Sequence, residues 1–164
     1  MVTAANAQAV ARICARLDGL PLAIELAASW LEVLTVEDLL RELGDTGELA
    51  GNRLDLPSRQ QTLRRTMDWG YNLLSVRERR LFAALAVFVG GFSLPGAEEV
   101  AGRARGTRIL EDLASLVHKN LLQADDAEGE TRFGMLQTVR QYALTRLRES
   151  AETAVYRRRH ARWF

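Results

Sequence analysis

Apolar residues near the start of the chain recur at helical spacing. Val10, Ile13 and Leu17 lie three or four positions apart, which predicts a helix over about 4–17. Gly19 then stands where a glycine ends a helix, and Pro21 where a proline begins one. A second helix should follow, with its apolar positions at Ile24, Ala27, Ala28, Leu31 and Leu34. This pattern predicts two helices joined by a tight Gly-Leu-Pro turn.

The same periodicity continues through most of the chain. Thr35 and Asp38 resemble a capping box and open a short third helix to about Leu43, whereas Ser75 and Glu78 form a Ser-x-x-Glu capping box. Further helices are predicted over about 59–73, 75–88, 93–102, 108–119, 136–149 and 153–164. We therefore expect a mainly α protein.

One segment departs from the helical period. The stretch "NLLQADDAEGETRFGML" contains two short apolar runs around an acidic turn with glycine, and this predicts a two-stranded hairpin with Phe133 and Met135 on one face. Helices followed by a hairpin are the order of a winged helix, and a plain helical bundle leaves the hairpin unexplained.

The predicted organisation is a helical bundle domain followed by a winged-helix domain with a small β-hairpin. The helical domain takes 1–46, and a linker rich in Gly and Asp takes 47–58. The winged-helix domain takes 59–150, and 151–164 begin a C-terminal helical or repeat segment. Because Trp163 and Phe164 end a predicted helix, we expect a piece of a longer protein that can self-associate through its ends.

Composition excludes several classes of protein. The net charge is +1, and Cys14 is the sole cysteine, so no internal disulfide can form. No apolar run approaches the roughly 20 residues of a membrane span, and no secretory signal stands at the start, so a cytoplasmic location without membrane contact is expected. A phosphate-binding P-loop motif is absent, and Cys14, His118 and His160 are not spaced as metal ligands. We expect neither enzymatic activity nor a metal.

The charge pattern bears on DNA binding. The helix at 108–119 would be the recognition helix, yet it carries Glu111 and Asp112, and the wing "ADDAEGETR" sets four acidic residues against Arg132. DNA binding through this element is disfavoured because phosphates require basic residues. Arginines cluster instead in three other places, namely Arg59, Arg64 and Arg65; Arg77, Arg79 and Arg80; and Arg157, Arg158, Arg159 and Arg162. These clusters are typical of solvated helix faces or of a surface for an acidic partner.

Several stretches together resemble one protein family. "ICARLDGLPLAIELAASWL" resembles the helical segment that follows the P-loop domain in signal-transduction ATPases of the STAND (NB-ARC-like) class. "RQQTLRRTMDWGYNLLSVRERRLFAALAVFVGGFSLPGAEEV", "LEDLASLVHKNLL" and "FGMLQTVRQYALTRLRE" resemble the winged-helix segment of its bacterial regulators, and "RRRHARWF" resembles the lead-in to helical repeats. The resemblance implies an upstream ATPase domain and a downstream repeat domain as partners.

The resemblance also implies a nucleotide contact. In the family, helical and winged-helix domains close over ADP and open with ATP, and the proline of a Gly-x-Pro turn packs on the adenine. That turn matches Gly19, Leu20 and Pro21. The family's phosphate-contacting Met-His-Asp triplet aligns with Met135, Leu136 and Gln137, so the histidine is replaced here. ADP or ATP is expected in the longer parent protein, and no cofactor in this chain alone.

The sequence thus predicts the non-catalytic regulatory arm of a STAND-type transcriptional regulator. Two alternatives stay open. The chain could be a stand-alone winged-helix DNA-binding protein, or a scaffold for protein–protein interaction.

Overall fold

The computed structural model describes residues 6–45, 57–102, 109–127 and 129–163, and the chain divides into two compact units, 1–73 and 74–164. The described part of the first unit contains four α-helices and a single 3-10 turn, Ser29–Glu32. The helices are α1 (Ala7–Arg16), α2 (Pro21–Ala28), α3 (Val36–Asp45) and α4 (Ser58–Leu73). Helix α3 packs on α1 and α4 packs on α2.

The predicted Gly-Leu-Pro turn is confirmed, with one difference in its geometry. The amide of Gly19 donates to the carbonyl of Cys14 and that of Asp18 to Ala15, which closes α1 with a Schellman motif. In this motif Asp18 (φ 53°), and not Gly19 (φ 62°), is the first left-handed residue. Thr62 of α4 donates a hydrogen bond to the Asp18 carboxylate. The aspartate therefore links the turn to α4, which a glycine in its place would not do.

The second unit has the order helix, strand, two helices, hairpin and two further helices. Its elements are α5 (Val76–Leu85), β1 (Phe92–Ser93), α6 (Leu94–Ala101), α7 (Ile109–His118), β2 (Gln123–Ala127), β3 (Glu130–Gly134), α8 (Gln137–Glu149) and α9 (Thr153–Trp163). Helix α5 packs against α6, α7 and α8, and α9 packs on α6. The structure is thus a mainly helical protein with a winged-helix unit, as the sequence predicted.

The sheet differs from the prediction by one strand. It has three antiparallel strands in the order β1-β3-β2, because Phe92 of β1 pairs with Phe133 of β3. Their rings stack with centroids 5.8 Å apart. A two-residue strand has no alternating pattern of its own, so the sequence signals only the hairpin. The prediction for Met135 was wrong, because β3 ends at Gly134 and leaves Met135 beyond the strand.

Helix α4 lies with the first unit, since it packs on α2 and the Trp69 ring meets Trp30 edge-on with centroids 5.9 Å apart. The predicted winged-helix domain, 59–150, instead includes residues 59–73, which belong to the first compact unit. Most of the predicted 47–58 linker, and Phe164, lie outside the described residues.

Candidate nucleic-acid interface

Helix α7 occupies the position of a recognition helix in the second unit. It follows α5, β1 and α6, and it leads into the β2–β3 hairpin that forms the wing. In helix-turn-helix proteins the helix at this position lies in the DNA major groove. Leu113 and Leu116 of α7 are fully buried and attach the helix to the core. The remaining surface of α7 decides what the helix can recognise.

A buried carboxylate attaches α7 to the start of α5. Glu78 is only 7% exposed. Its carboxylate accepts a hydrogen bond from the Ser115 hydroxyl at 2.6 Å and forms an ion pair with the Lys119 ammonium. It also closes the predicted capping box, because Oε2 accepts from the Ser75 amide at 2.7 Å while the Ser75 hydroxyl accepts from the Glu78 amide at 3.3 Å. One side chain therefore caps α5 and positions α7.

The surroundings of Glu78 shift its acidity strongly. Burial alone raises the pKa of the Glu78 carboxyl, but the hydrogen bonds from Lys119, Ser115 and Ser75 outweigh it and lower the pKa to about 2. The carboxylate stays ionised at neutral pH, which is the form that the Lys119 ammonium requires. A second ion pair, from Arg77 to Asp112 at 3.0 Å, also joins α5 to α7.

The exposed face of α7 lacks the donors that read DNA. It presents Leu110, which is 55% exposed, together with Glu111, Ala114 and His118. Base edges in the major groove are read mostly by Arg, Lys, Asn and Gln. A carboxylate and aliphatic groups at these positions do not match the negative potential of DNA.

The wing is exposed and acidic. Asp125 of β2 stands opposite Arg132 of β3, and Asp126 stands opposite Thr131. Glu130 also lies exposed at the start of β3. Arg132 thus has an acidic cross-strand neighbour, and the described part of the hairpin presents a surplus of negative charge.

Helix α9 presents the opposite charge. It carries four arginines and no acidic residue. Arg157, Arg158 and Arg162 are exposed, and we refer to these three residues as the α9 arginine strip. The opposite face of α9 attaches the helix to the core. There Tyr156 is buried, and the His160 ring meets the Phe88 ring edge-on with centroids 4.8 Å apart.

A cavity of about 200 Å³ lies where α9 meets α5 and α6. Arg80 and Arg159 line it together with Tyr156, whose hydroxyl donates to Glu152 at 3.0 Å. Burial raises the pKa of Tyr156, and the bond to Glu152 raises it further. Arg159 also donates to the carbonyl of Val100 at 3.4 Å, at the end of α6. Two arginines from distant parts of the sequence therefore line one cavity.

The residues predicted to contact nucleotide fall in both units. Gly19, Leu20 and Pro21 form the turn between α1 and α2, with Gly19 and Pro21 exposed. Met135, Leu136 and Gln137 lie at the start of α8, where Leu136 precedes the first helical residue and is 39% exposed. No ligand contact tests either set, so both stay predictions.

Two groupings of side chains arise only in the folded protein and have no signal in the sequence. The first is Glu78 with Ser115 and Lys119. The i, i+4 spacing of the latter two residues places them on one face of α7, but no pattern shows that this face meets Glu78. The second is Arg80 with Arg159, which lie nearly half the chain apart in sequence.

Comparison with known proteins agrees with this geometry. Residues 74–148 match the family model of the winged helix-turn-helix domain. Over 156 residues the chain is 44% identical to proteins of Mycobacterium tuberculosis and Mycobacterium bovis that are named as candidate HTH-type transcriptional regulators. It is 41% identical over 155 residues to an uncharacterized M. tuberculosis protein.

The alignments cover nearly all of this chain but only a small part of each relative. These matches cover 93% and 92% of this chain, but only 18% of the regulators and 39% of the uncharacterized protein. The chain therefore spans less than a fifth of the length of the curated regulators that it matches. No solved structure matches the chain. Within the part of the chain that the structure describes, no helix has the length and apolarity to cross a membrane.

Proposed function

We propose that the chain is the winged-helix segment of a transcriptional regulator and that this segment binds DNA. The observation that carries the proposal is the winged helix-turn-helix architecture of the second unit. It agrees with the homology of the chain, over nearly its whole length, to proteins named as candidate HTH-type regulators. This supports DNA binding, one of the alternatives that the sequence leaves open, more than it supports the ATPase arm.

Charge limits how such a segment meets DNA. The exposed face of α7 carries a carboxylate and aliphatic groups beside one histidine, and the described part of the wing exposes more carboxylates than cations, so strong readout of base edges from this side is disfavoured. Binding that depends mostly on phosphate contacts is weak and sequence-tolerant, with a Kd on the order of 1–100 µM at physiological salt. We expect this mode for the isolated chain.

The test is fluorescence anisotropy of labelled duplexes titrated with the whole chain. At about 50 mM salt we expect saturable binding that weakens steeply as salt rises, with little difference between unrelated sequences. Absence of binding at low salt, up to roughly 100 µM protein, would overturn the proposal.

A second candidate function is the nucleotide-responsive arm that the sequence resemblance implies. The observation that favours it is the accessible turn before α2. Gly19 has open space around it, and Pro21 is exposed at the first position of the helix. An adenine ring could therefore approach the turn at Gly19 without displacing a neighbouring side chain.

Thermal unfolding with and without ADP tests whether this chain alone contains a nucleotide site. A rise in Tm with ADP that disappears in Pro21→Ala would support the arm, and Pro57→Ala at the exposed start of α4 is the matched control. No change in Tm with ADP, which we expect for the chain alone, would count against an independent nucleotide site.

A further inference from the structure

We propose that the α9 arginine strip, and not α7 or the wing, carries the phosphate contacts to DNA. This inference rests on the proposed function and names the surface responsible for it. Arg157, Arg158 and Arg162 are all exposed on one helix, whereas α7 and the described hairpin together expose more carboxylates than cations. Helix α9 thus differs from α7 and the described hairpin in the sign of its exposed charge.

The strip has suitable spacing for a polyanion. Arg158 and Arg162 lie four residues apart, so they project from neighbouring turns with Cβ atoms about 6 Å apart. Arg157 flanks them. No acidic residue occurs within α9, and Glu152, which precedes it, accepts the bond from Tyr156 on the cavity side. The strip therefore concentrates positive potential along one helix.

The helix that carries the strip is anchored through its inner face. Gly102 ends α6 with φ 65°, and a Cβ there would overlap the Arg159 guanidinium. Arg159 then reaches the Val100 carbonyl at the same helix end, where a cation is favoured by the helix dipole. These contacts, with Tyr156 buried, fix which face of α9 points outward. Arg80 of α5 lines the same cavity as Arg159.

Phosphate contacts have a measurable signature. Log K falls as log salt concentration rises, and each phosphate contact to duplex DNA makes this slope steeper by about 0.9. If all three arginines contact phosphate, removing them should make the slope shallower by about 2.7 and weaken binding equally for all sequences.

The experiment compares Arg157→Gln/Arg158→Gln/Arg162→Gln with wild type by anisotropy over a salt series. The matched control is Arg12→Gln/Arg59→Gln/Arg65→Gln, which removes three exposed arginines from the first unit and changes the net charge equally. Circular dichroism and Tm of every variant show whether it folds. We expect the magnitude of the salt slope to decrease by about 2.7 in the α9 variant and to change by less than about 1 in the control.

The outcomes separate the two proposals. If wild type fails to bind DNA, the proposed function falls and this inference falls with it. If wild type binds but the α9 variant keeps its slope, or if both variants lose slope equally, only the assignment to the strip is overturned. Poly-glutamate, at equal charge concentration, is the competitor that tests for an acidic protein as the partner. Displacement of DNA by this polymer as effectively as by unlabelled duplex would also overturn the inference.

Discussion

The exposed charges of α7 and α9, two helices of the second unit, are the reverse of what their positions suggest. Helix α7 has the place of a recognition helix but exposes Leu110 and Glu111. Helix α9 lies after the winged helix, outside the matched 74–148 segment, and exposes three arginines. The position of a helix in a fold is set by its buried face, whereas its partners are set by its exposed face.

The two helices are also anchored differently. Helix α7 is tied to α5 by the buried Glu78 carboxylate and by its own fully buried leucines. Helix α9 is held by packing on α6, with Tyr156 buried and Arg159 at the end of α6. We therefore expect α7 to contribute more to the stability of the unit, and α9 more to its interactions.

The largest effect is expected from Leu113→Ala in the buried face of α7. Removing a fully buried leucine side chain should lower the free energy of unfolding by about 2–5 kcal/mol. Leu110→Ala on the exposed face of the same helix is the control and should change it by less than about 0.5 kcal/mol. Urea denaturation measures both. Similar losses in the two variants would contradict the assignment of the buried and exposed faces.

The next effect concerns the anchor of α7. Glu78→Gln keeps an acceptor for the capping box but removes the ion pair with Lys119, and should cost about 1–3 kcal/mol at pH 7. Glu99→Gln, at an exposed position on α6, is the control.

The same substitution has a pH signature. Because the pKa of Glu78 falls from 4.5 to about 2 on folding, the carboxylate stabilises the fold fully above the unfolded pKa. That contribution is lost as pH falls from about 5 towards 2. We expect wild type to lose more stability than Glu78→Gln over this range in urea denaturation, and parallel curves would contradict the role of Glu78.

The smallest effect should come from the wing. Asp125→Asn/Asp126→Asn removes two negative charges from the wing and should raise affinity at low salt by at most about tenfold, through the net charge of the chain. Glu42→Gln/Glu99→Gln, with the same change of net charge at other exposed positions, should raise it about as much. A clearly larger gain in the wing variant would mean that DNA approaches the wing, against the assignment to the α9 arginine strip. Anisotropy at low and high salt decides this.

Local sequence was sufficient to predict most elements. The Ser75–Glu78 capping box occurs at the start of α5, and the Thr35 hydroxyl accepts from the Asp38 amide at 3.1 Å at the start of α3, since both motifs act within one turn. Gly102 was predicted near the end of α6 and takes the left-handed conformation there. Contacts within four residues depend on little beyond the local chain.

The site was harder to predict. The acidity of α7 and the wing, and the basicity of α9, follow from residue order once the helices are placed. The exposure of Arg157, Arg158 and Arg162 does not, because it depends on which face of α9 meets α6. The adenine contact that the family resemblance implies at Pro21, and the effect of leucine in place of the family's histidine at Leu136, depend on a ligand and stay predictions.

The sequence by itself determined the helices, the hairpin, the turn before α2 and the opposite charges of α7 and α9, because each depends on spacing or composition within a short segment. Only the tertiary structure decided that β1 joins the sheet, that Asp18 binds Thr62, and that Glu78 meets Ser115 and Lys119. These contacts join residues that are far apart along the chain. Their geometry is set by how whole helices pack, which no local pattern specifies.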